Sequence, residues 1–462
     1  MLEAPLSPGA ILFAAPKPPW YRRYRRRIVA TTFFLMCCGA GAACWVYFTN
    51  PLSFRTLPEG FRIERYEDEA HPRANEYLIM FDLPFGNLTL FTRKFKALLP
   101  PSYPARQPDY IIVDSHGYNT PDFADQHHFS GFYGTVVEQL NAIVVTTWGS
   151  ADTYSDLAGW NAWGWSANTM PTNGTCTDHP DATCVENHDP YDCYASQVLT
   201  GEGRCKGRHS STCSTMSAQD DLLYVRKVVT FVKQYWTNTA KVVLTGQSMG
   251  GILSAAAAQE LVADGLVDGA LPVSAGGARN FPRNFEASVP ILHLHGIYDE
   301  WIPTCVPPQD IVSAGFEGGT GIYSVSPSTC DDNHQNSVCA SADGFLYTPL
   351  KTTLETYARG VSLPPWSQLE WDSYDASPYF SLDDKRNGTR LRCAHVDDSQ
   401  ACNGGHPCVS VCLFNGGHCL PFQDADCEWI DDDPATGPKH NSGALAFAAL
   451  LAQWLEQHVN VR

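Results

Sequence analysis

One serine lies between two glycines where an apolar run gives way to an alanine-rich one. The stretch KVVLTGQSMGGILSAAAAQEL places Ser248 between Gly246 and Gly250, in a G-x-S-x-G pattern. Where such a turn joins a strand to a helix, it lifts the serine hydroxyl above the sheet and frees the next backbone N–H, here that of Met249, to stabilise an oxyanion. The pattern therefore indicates a nucleophile, and a glycine-rich turn without chemistry is the alternative.

A nucleophilic serine needs a base, a carboxylate that orients the base, and donors for the oxyanion. The carboxylate is predicted to follow the apolar run VPILHLHG, where Asp299 is favoured over its neighbour Glu300 because of its offset from the strand end. The base is predicted to be His418, which follows the strand-like VSVCLF. His406 lies in a similar glycine turn and is the alternative, although no apolar strand precedes it.

The second oxyanion donor is expected at the end of another apolar run. IIVDSHGYN ends in His116-Gly117, so the backbone N–H of Tyr118 is predicted to pair with that of Met249. Packing, surface or rim positions are expected for four further histidines: His127, His128, His293 and His295. The last two precede the acid, which is the wrong order for a base.

Four short apolar runs that end in turns must position these groups: YIIVDSHG, AIVVTTWG, KVVLTGQS and VPILHLHG. They lack the alternation of a half-exposed sheet and are predicted to be strands covered on both faces. Helical patterns lie between them and at the end of the chain: GFYGTVVEQLN, AQDDLLYVRKVVTFVKQYW, GGILSAAAAQELVADG and SGALAFAALLAQWLEQHV. This alternation predicts an α/β fold with a doubly wound, mostly parallel sheet.

The elements around this centre are also readable. Residues 75–98 are predicted to form antiparallel strands and turns. Asp220 and Asp221 open the second helix pattern, where both would complement the positive end of the helix dipole. The buried face of that helix is predicted to hold four apolar residues: Leu222, Val225, Val229 and Val232. Ser442 is the predicted cap of the last helix.

The N-terminal fifty residues have a different character. YRRYRRR precedes an uncharged run over 28–48, which is long enough to cross a bilayer as a helix. The positive-inside tendency places the basic arm, 1–27, in the cytosol and the rest of the chain in the lumen or outside the cell. The sequence thus predicts a type II signal anchor, a luminal linker over 49–74 and a folded domain over 75–462. A cleaved signal peptide, and hence secretion, is the alternative.

Cysteine usage supports an oxidising compartment. Of the 17 cysteines three lie in the apolar run, which leaves fourteen, an even number as disulfides require. These fourteen fall in two insertions, at about 149–216 and 301–433, that disulfides are expected to tie down. Three sequons are candidate glycosylation sites: Asn87, Asn173 and Asn387.

One cysteine cluster has a spacing that also suits zinc: Cys402, His406, Cys408, Cys412, His418 and Cys419. An oxidising compartment favours disulfides there, so no metal is predicted. The first fifty residues carry six basic side chains and one acidic one, so the net charge of −18 leaves −23 for the remainder. Such a domain repels phosphate backbones, and no nucleic-acid partner is expected. Nothing in the sequence indicates an oligomeric state.

Tryptophans crowd the segment after AIVVTTWG. Trp148, Trp160 and Trp163 are candidates for substrate binding, because indoles there could stack on a sugar ring or a phenolic acid. The alternative is that they pack the first insertion onto the sheet.

Several of these segments resemble a known family. HGYN, GQSMGG, HGIYDEWIP and NGGHCLPF resemble the extracellular poly(3-hydroxybutyrate) depolymerase and feruloyl esterase group of α/β-hydrolases, and the resemblance spans about 91–458. It implies the α/β-hydrolase fold, Ser248 as nucleophile, Asp299 as acid, His418 as base, and no metal or organic cofactor. The cysteine density, the long stretch before the histidine, and Cys419-Leu420 in place of the group's common threonine and tryptophan are departures.

The expected activity is hydrolysis of carboxylic esters through an acyl-enzyme, on polymer-linked or aromatic esters. A catalytically silent ectodomain used for cell-surface binding and a serine peptidase on the same scaffold are the alternatives. Loss of activity usually shows as a missing member of the triad, and none is missing here.

Overall fold

The chain divides into two units, Met1–Arg55 and Thr56–Arg462. A computed structural model describes these residues, all in the second unit: 56–65, 75–85, 89–117, 134–151, 158–160, 220–276, 289–306, 312, 316, 339–340, 346–358, 362–374, 390–396, 401–402, 406–407, 409–422 and 442–460. Within these ranges no helix combines the length and apolarity needed to cross a bilayer. The predicted basic arm, the predicted anchor and the three sequons lie outside the described residues.

Strands and helices alternate along most of the described chain. The strands are β1 (Phe61–Arg65), β2 (Glu76–Phe85), β3 (Thr89–Leu98), β4 (Tyr110–Ser115), β5 (Ala142–Thr147), β6 (Ser150–Ala151), β7 (Ala158–Gly159), β8 (Lys241–Gln247), β9 (Gly269–Val273), β10 (Ile291–Gly296), β11 (Cys339–Ala340), β12 (Leu346–Tyr347), β13 (Asp372–Ser373), β14 (Leu391–His395), β15 (Ala401–Cys402), β16 (His406–Pro407) and β17 (Val409–Phe414). The helices are α1 (Gly134–Leu140), α2 (Asp221–Tyr235), α3 (Met249–Val262), α4 (Leu350–Tyr357) and α5 (Ser442–Trp454), with a 3-10 turn at Trp366–Gln368 and a π turn at Leu455–Val459.

Eleven of these strands form one sheet, in the order β1-β2-β3-β5-β4-β8-β9-β10-β17-β14-β13. The six strands from β5 to β17 are parallel. Antiparallel pairs extend the sheet beyond β5 on one side and beyond β17 on the other. The prediction of parallel, buried strands is therefore confirmed for the centre of the sheet, and the antiparallel pairing predicted over 75–98 is confirmed in β2 and β3.

The sheet begins earlier in the chain than the sequence indicates. Strand β1 lies within 49–74, which was expected to be a linker, and it pairs with β2. Its sequence, FRIER, has three charged residues among five, and the apolar–charged alternation is limited to four positions. Phe61 nevertheless packs its ring 4.8 Å from that of Phe81 and 4.7 Å from that of Phe231. A short edge strand of this kind is hard to distinguish from a polar linker in the sequence, because only one of its faces is partly buried and needs apolar residues.

The parallel strands are covered on both faces. Every residue of β5, β9, β10 and β17 is buried. The helices pack in pairs, α1 against α5 and α2 against α3. The α1 and α5 pair shares one apolar core with alternate residues of the central strands, such as Ile112, Val144 and Leu294. The continuous apolar runs follow from this two-sided cover.

Helix α2 departs in two details from its predicted form. Asp220 caps the helix, because its side chain accepts the Leu223 N–H (2.9 Å). Asp221 lies in the first turn, but its buried carboxylate pairs with Arg93, so its charge does not serve the helix dipole alone. Leu222 is only half-buried. The buried apolar face comprises Tyr224, Val225, Val228, Val229, Phe231, Val232 and Tyr235. The buried face is rotated relative to the predicted one, because large aromatic side chains of α2 pack on β2 and β3.

Candidate active site

Ser248 forms the whole connection between β8 and α3. Its backbone has φ 57° and ψ −124°, a region that residues other than glycine rarely adopt and that commonly marks functional sites. The Ser248 N–H donates to the carbonyl of Val273 (2.9 Å), and its own carbonyl accepts from the N–H of Ile252 (3.1 Å). Strand β9 and helix α3 therefore hold the serine in this strained turn.

The two glycines of the pattern are required by close backbone packing. A Cβ on Gly250 would lie 1.9 Å from the carbonyl oxygen of Ser115. A Cβ on Gly246 would lie 2.5 Å from the same oxygen and 2.5 Å from the carbonyl carbon of Gly250. The start of α3 can approach the end of β4 only because neither residue carries a side chain.

The loops after β10 and β17 bring an acid and an imidazole together. Backbone hydrogen bonds join the two loops, from Ile297 N–H to Phe414 O and from Tyr298 N–H to Gly416 O, both 2.9 Å. His418 Nδ1 lies 2.8 Å from Asp299 Oδ2. Because an ionised carboxylate only accepts, Nδ1 donates, and the lone pair of the neutral ring is on Nε2, as a general base requires.

The Asp299 carboxylate is buried and surrounded by donors. Oδ1 accepts from the backbone N–H groups of Trp301 (2.9 Å) and Ile302 (2.8 Å). Oδ2 accepts from His418 and lies 3.3 Å from His295 Nε2. Burial acts to raise the pKa of Asp299, but the charge of His418 and hydrogen bonds from His295 and His418 hold that pKa well below its ordinary value. The acid is therefore ionised at neutral pH.

The loop that carries His418 is docked beside the serine turn. Gln247, which directly precedes Ser248, donates from Nε2 to the carbonyl of His418 (2.6 Å). The Ser274 hydroxyl, at the end of β9, lies 3.4 Å from the carbonyl of Cys419. The structure thus gathers Ser248, Asp299 and His418 at the carboxyl edge of the parallel strands. The role of Gln247 was missed in the sequence, where it was only the variable position of the glycine pattern.

The alternative base, His406, lies in a different place. It belongs to the β15–β16 ribbon, where it pairs with Cys402, and this ribbon is separate from the main sheet. The structure joins His418 to the Asp299 carboxylate.

Two backbone N–H groups were predicted to stabilise the oxyanion. That of Met249 belongs to the first residue of α3, and Tyr118 lies outside the described residues. The preceding His116 is fixed by its neighbours. Its Nε2 accepts the Gly149 N–H (2.8 Å), so the ring proton is on Nδ1, 2.5 Å from Gly117 O. The carbonyl of His116 accepts the indole N–H of Trp160 (2.6 Å). Hydrogen bonds from Gly149 and Trp160, both in the first insertion, therefore position the start of the loop that follows β4.

The tryptophans predicted to bind substrate are found in packed positions where they are described. Trp160 is fully buried, with its ring centroid 4.7 Å from that of His116 and tilted by 44°, and Trp148 is 6% exposed. Trp163 lies outside the described residues. These positions agree with the packing alternative, and contact of Trp148, Trp160 or Trp163 with substrate stays a prediction.

A buried ion pair connects β3, α2 and the end of β5. Arg93 Nη1 lies 2.7 Å from Asp221 Oδ1, with both side chains at most 2% exposed. Arg93 Nη2 donates to the carbonyl of Trp148 (2.8 Å), and the guanidinium lies 3.9 Å from the Tyr224 ring centroid. The pair ties the start of α2 to β3 and to the end of β5, next to Gly149. The sequence carried no signal for this contact because its members are 128 positions apart.

We expect Asp221→Asn to lower the free energy of unfolding by about 3 kcal/mol, because it leaves the buried Arg93 guanidinium without its counter-charge. The matched control is the adjacent Asp220→Asn, which is expected to change that free energy by less than about 0.5 kcal/mol, since asparagine caps helices as well as aspartate does. Urea unfolding followed by circular dichroism measures both. Equal losses in the two variants would contradict the assignment.

Disulfides tie the loops of the site. Cys393 and Cys412 join β14 to β17. Cys305, beyond the acid, and Cys419, directly after the imidazole, are also disulfide-bonded. Cys412 and Cys419 are therefore not thiolates that could bind zinc. In the part of the chain that the structure describes, no group of histidine, cysteine and acidic residues is arranged to hold a metal.

The mixed sheet, its helix pairs and a serine at a strand-to-helix turn match the α/β-hydrolase fold. No family model matches the sequence, and no curated protein matches it. Among solved structures, the chain is similar to an acetyl xylan esterase from Aspergillus awamori, with 13% identity, 77% of this chain and 94% of that chain covered, and a TM-score of 0.35.

Two further solved structures are similar. A poly(3-hydroxybutyrate) depolymerase from Bordetella parapertussis has 13% identity, with 49% of this chain and 67% of that chain covered and a TM-score of 0.26. A ferulic acid esterase has 12% identity, with 49% and 80% covered and a TM-score of 0.29. At these values, what the three proteins do is no argument for what this chain does.

Proposed function

We propose that the chain is a serine carboxylic-ester hydrolase that acts through an acyl-enzyme. The observation that carries the proposal is the hydrogen bond between His418 Nδ1 and Asp299 Oδ2, on a loop docked beside Ser248. An orienting carboxylate, an imidazole and a serine in a strained strand-to-helix turn are the parts that acyl transfer needs.

Each residue then has a defined step. The Ser248 hydroxyl attacks the ester carbonyl while His418 Nε2 takes its proton. The oxyanion is stabilised by the backbone N–H of Met249 and, in this proposal, that of Tyr118. The imidazolium passes the proton to the leaving alcohol, and water repeats the sequence on the acyl-enzyme. Asp299 stays ionised throughout and stabilises the imidazolium.

The proposed substrates are polymer-linked or aromatic esters. Trp301, two residues past Asp299, supports an aromatic acyl or alcohol group, because its backbone N–H is fixed by the acid and its side chain is 49% exposed. An exposed indole on a fixed loop offers a large contact area with few rotatable bonds.

The proposed location is the lumen of the secretory pathway or the cell surface, with a membrane helix over 28–48 or secretion if that segment is cleaved. The disulfide between Cys393 and Cys412 and the bonded state of Cys305 and Cys419 support it, because disulfides persist in oxidising compartments.

A fluorophosphonate probe tests the activity. We expect wild-type protein to be labelled, with the adduct on the peptide that contains Ser248, and to turn over p-nitrophenyl esters faster than peptide amides. Absence of labelling and of turnover would favour the silent ectodomain. Faster turnover of amides would favour the peptidase.

A further inference from the structure

Two buried histidines lie behind the acid on strand β10. His293 and His295 are two positions apart and therefore share one face of the strand. They are 0% and 1% exposed, with ring centroids 5.3 Å apart. His293 Nε2 lies 3.0 Å from His295 Nδ1. The proposed mechanism gives neither of them a role, although burying two titratable rings is unfavourable.

The surroundings of His295 determine where its proton lies. Its Nε2 is 2.7 Å from the carbonyl of Ile302 and 3.3 Å from Asp299 Oδ2. Both groups only accept hydrogen bonds, so Nε2 carries the hydrogen. The contact to Ile302 is the shorter hydrogen bond, and Asp299 Oδ2 accepts a longer one from the same N–H.

His293 stabilises this tautomer. In a neutral His295 ring the lone pair is on Nδ1, where it accepts the Nε2–H of His293. Nδ1 of His293 then bears a lone pair, and among the described residues it has no hydrogen-bond partner. Burial, with His295 beside it, holds the pKa of His293 well below its ordinary value, so the ring is neutral. A protonated His295 would instead leave a buried N–H of His293 unpaired, which is unfavourable.

A closed set of contacts links His295 to the carboxylate. The Ile302 N–H donates to Asp299 Oδ1, and the Ile302 carbonyl accepts from His295. His295 thus holds the turn from Asp299 to Ile302 at its far end and approaches Oδ2 directly. Oδ2 is also the atom that accepts from His418. A carboxylate free to rotate within this turn would misalign the imidazole.

We propose that His295 is a positioning residue for Asp299, which holds the carboxylate in the orientation that His418 needs, with His293 selecting the required tautomer. The inference rests on the proposed function, since it assigns a part to that same site. In this role His295 acts on the reaction only through Asp299.

A matched pair of amides tests the role. Glutamine carries an amide N–H near the position of Nε2, whereas asparagine reaches only the position of Nδ1. We expect His295→Asn to lower kcat about 30-fold with KM changed less than about twofold, because a displaced catalytic group affects the chemical step. His295→Gln is expected to retain kcat within about threefold, since its donor still reaches Ile302. Equal losses in both variants, or no loss in His295→Asn, would overturn the proposal.

Proton NMR provides a readout that does not need turnover. The low-field resonance of the His418 Nδ1–H bonded to Asp299 is expected in wild type and His295→Gln, and displaced or lost in His295→Asn. In wild type, the nitrogen spectrum of His295 is expected to show the hydrogen on Nε2. The nitrogen spectrum is recorded on wild-type protein, so it does not depend on whether a variant folds. A hydrogen on Nδ1 of His295 would overturn the proposal.

The two readouts separate this inference from the proposed function. Protein that turns over no ester but shows the expected resonances would support the positioning role and overturn the esterase. Ester turnover and a low-field resonance that are both unchanged in His295→Asn would overturn the positioning role and leave the esterase standing.

Discussion

Ser248→Ala is expected to lower kcat for a p-nitrophenyl ester by about 10⁶-fold, because the attacking oxygen is lost while imidazole and carboxylate remain without a nucleophile. The residual rate would come from the oxyanion donors and from binding alone. The free energy of unfolding is expected to change little, since alanine meets the same strained φ of 57° as serine. Steady-state kinetics and labelling by the fluorophosphonate probe measure the effect.

Ser254→Ala is the matched control for this experiment. Ser254 lies in the same helix, is 2% exposed, and uses its hydroxyl to bond the carbonyl of Gly251 (2.8 Å). Its replacement is expected to lower the free energy of unfolding by about 1 kcal/mol and to leave labelling intact. Labelling that persists in Ser248→Ala would rule out Ser248 as the nucleophile.

Asp299→Asn is expected to lower kcat by about 10⁴-fold, because an amide N–H in place of an acceptor oxygen favours the wrong tautomer of the base. The effect on stability should depend on pH. The pKa of Asp299 is depressed in the folded chain, so the carboxylate contributes stability above its unfolded pKa, and that contribution is lost as pH falls through the folded value. The difference between wild type and variant in urea unfolding should therefore be full at neutral pH and shrink below about pH 4.

Glu300→Gln is the control for the acid. Glu300 is the neighbour that the sequence left as an alternative, and it is half-buried. Its replacement is expected to keep kcat within about twofold, because the carboxylate that accepts from His418 Nδ1 belongs to Asp299. A larger loss in Glu300→Gln than in Asp299→Asn would exchange the roles of the two carboxylates.

The centre of the fold could be predicted because its signals are local. Uninterrupted apolar runs marked the buried parallel strands, and turn residues marked their carboxyl ends, where Ser248, Asp299 and His418 lie. The pairing of Asp299 with His418 was predicted from the order of three strand ends rather than from any contact.

Other features could not be predicted, because they depend on distant pairing or on several roles for one residue type. In the sequence, Arg93 is one charged residue among others in the β3 region. Its partner Asp221 is known only once the fold places α2 next to β3. His295 was set aside as a base because of its order in the chain, and order carries no information about a role in support of the acid. Strand β1 has too little apolar surface to be distinguished from a linker.

The bonded Cys419 next to His418 has a consequence for when the protein can work. A chain that has just been synthesised holds every side chain of the site but lacks the covalent link beside its imidazole. Under the proposed function, this link would form only where oxidative folding takes place, and the loop that carries the imidazole would reach its final form in that environment.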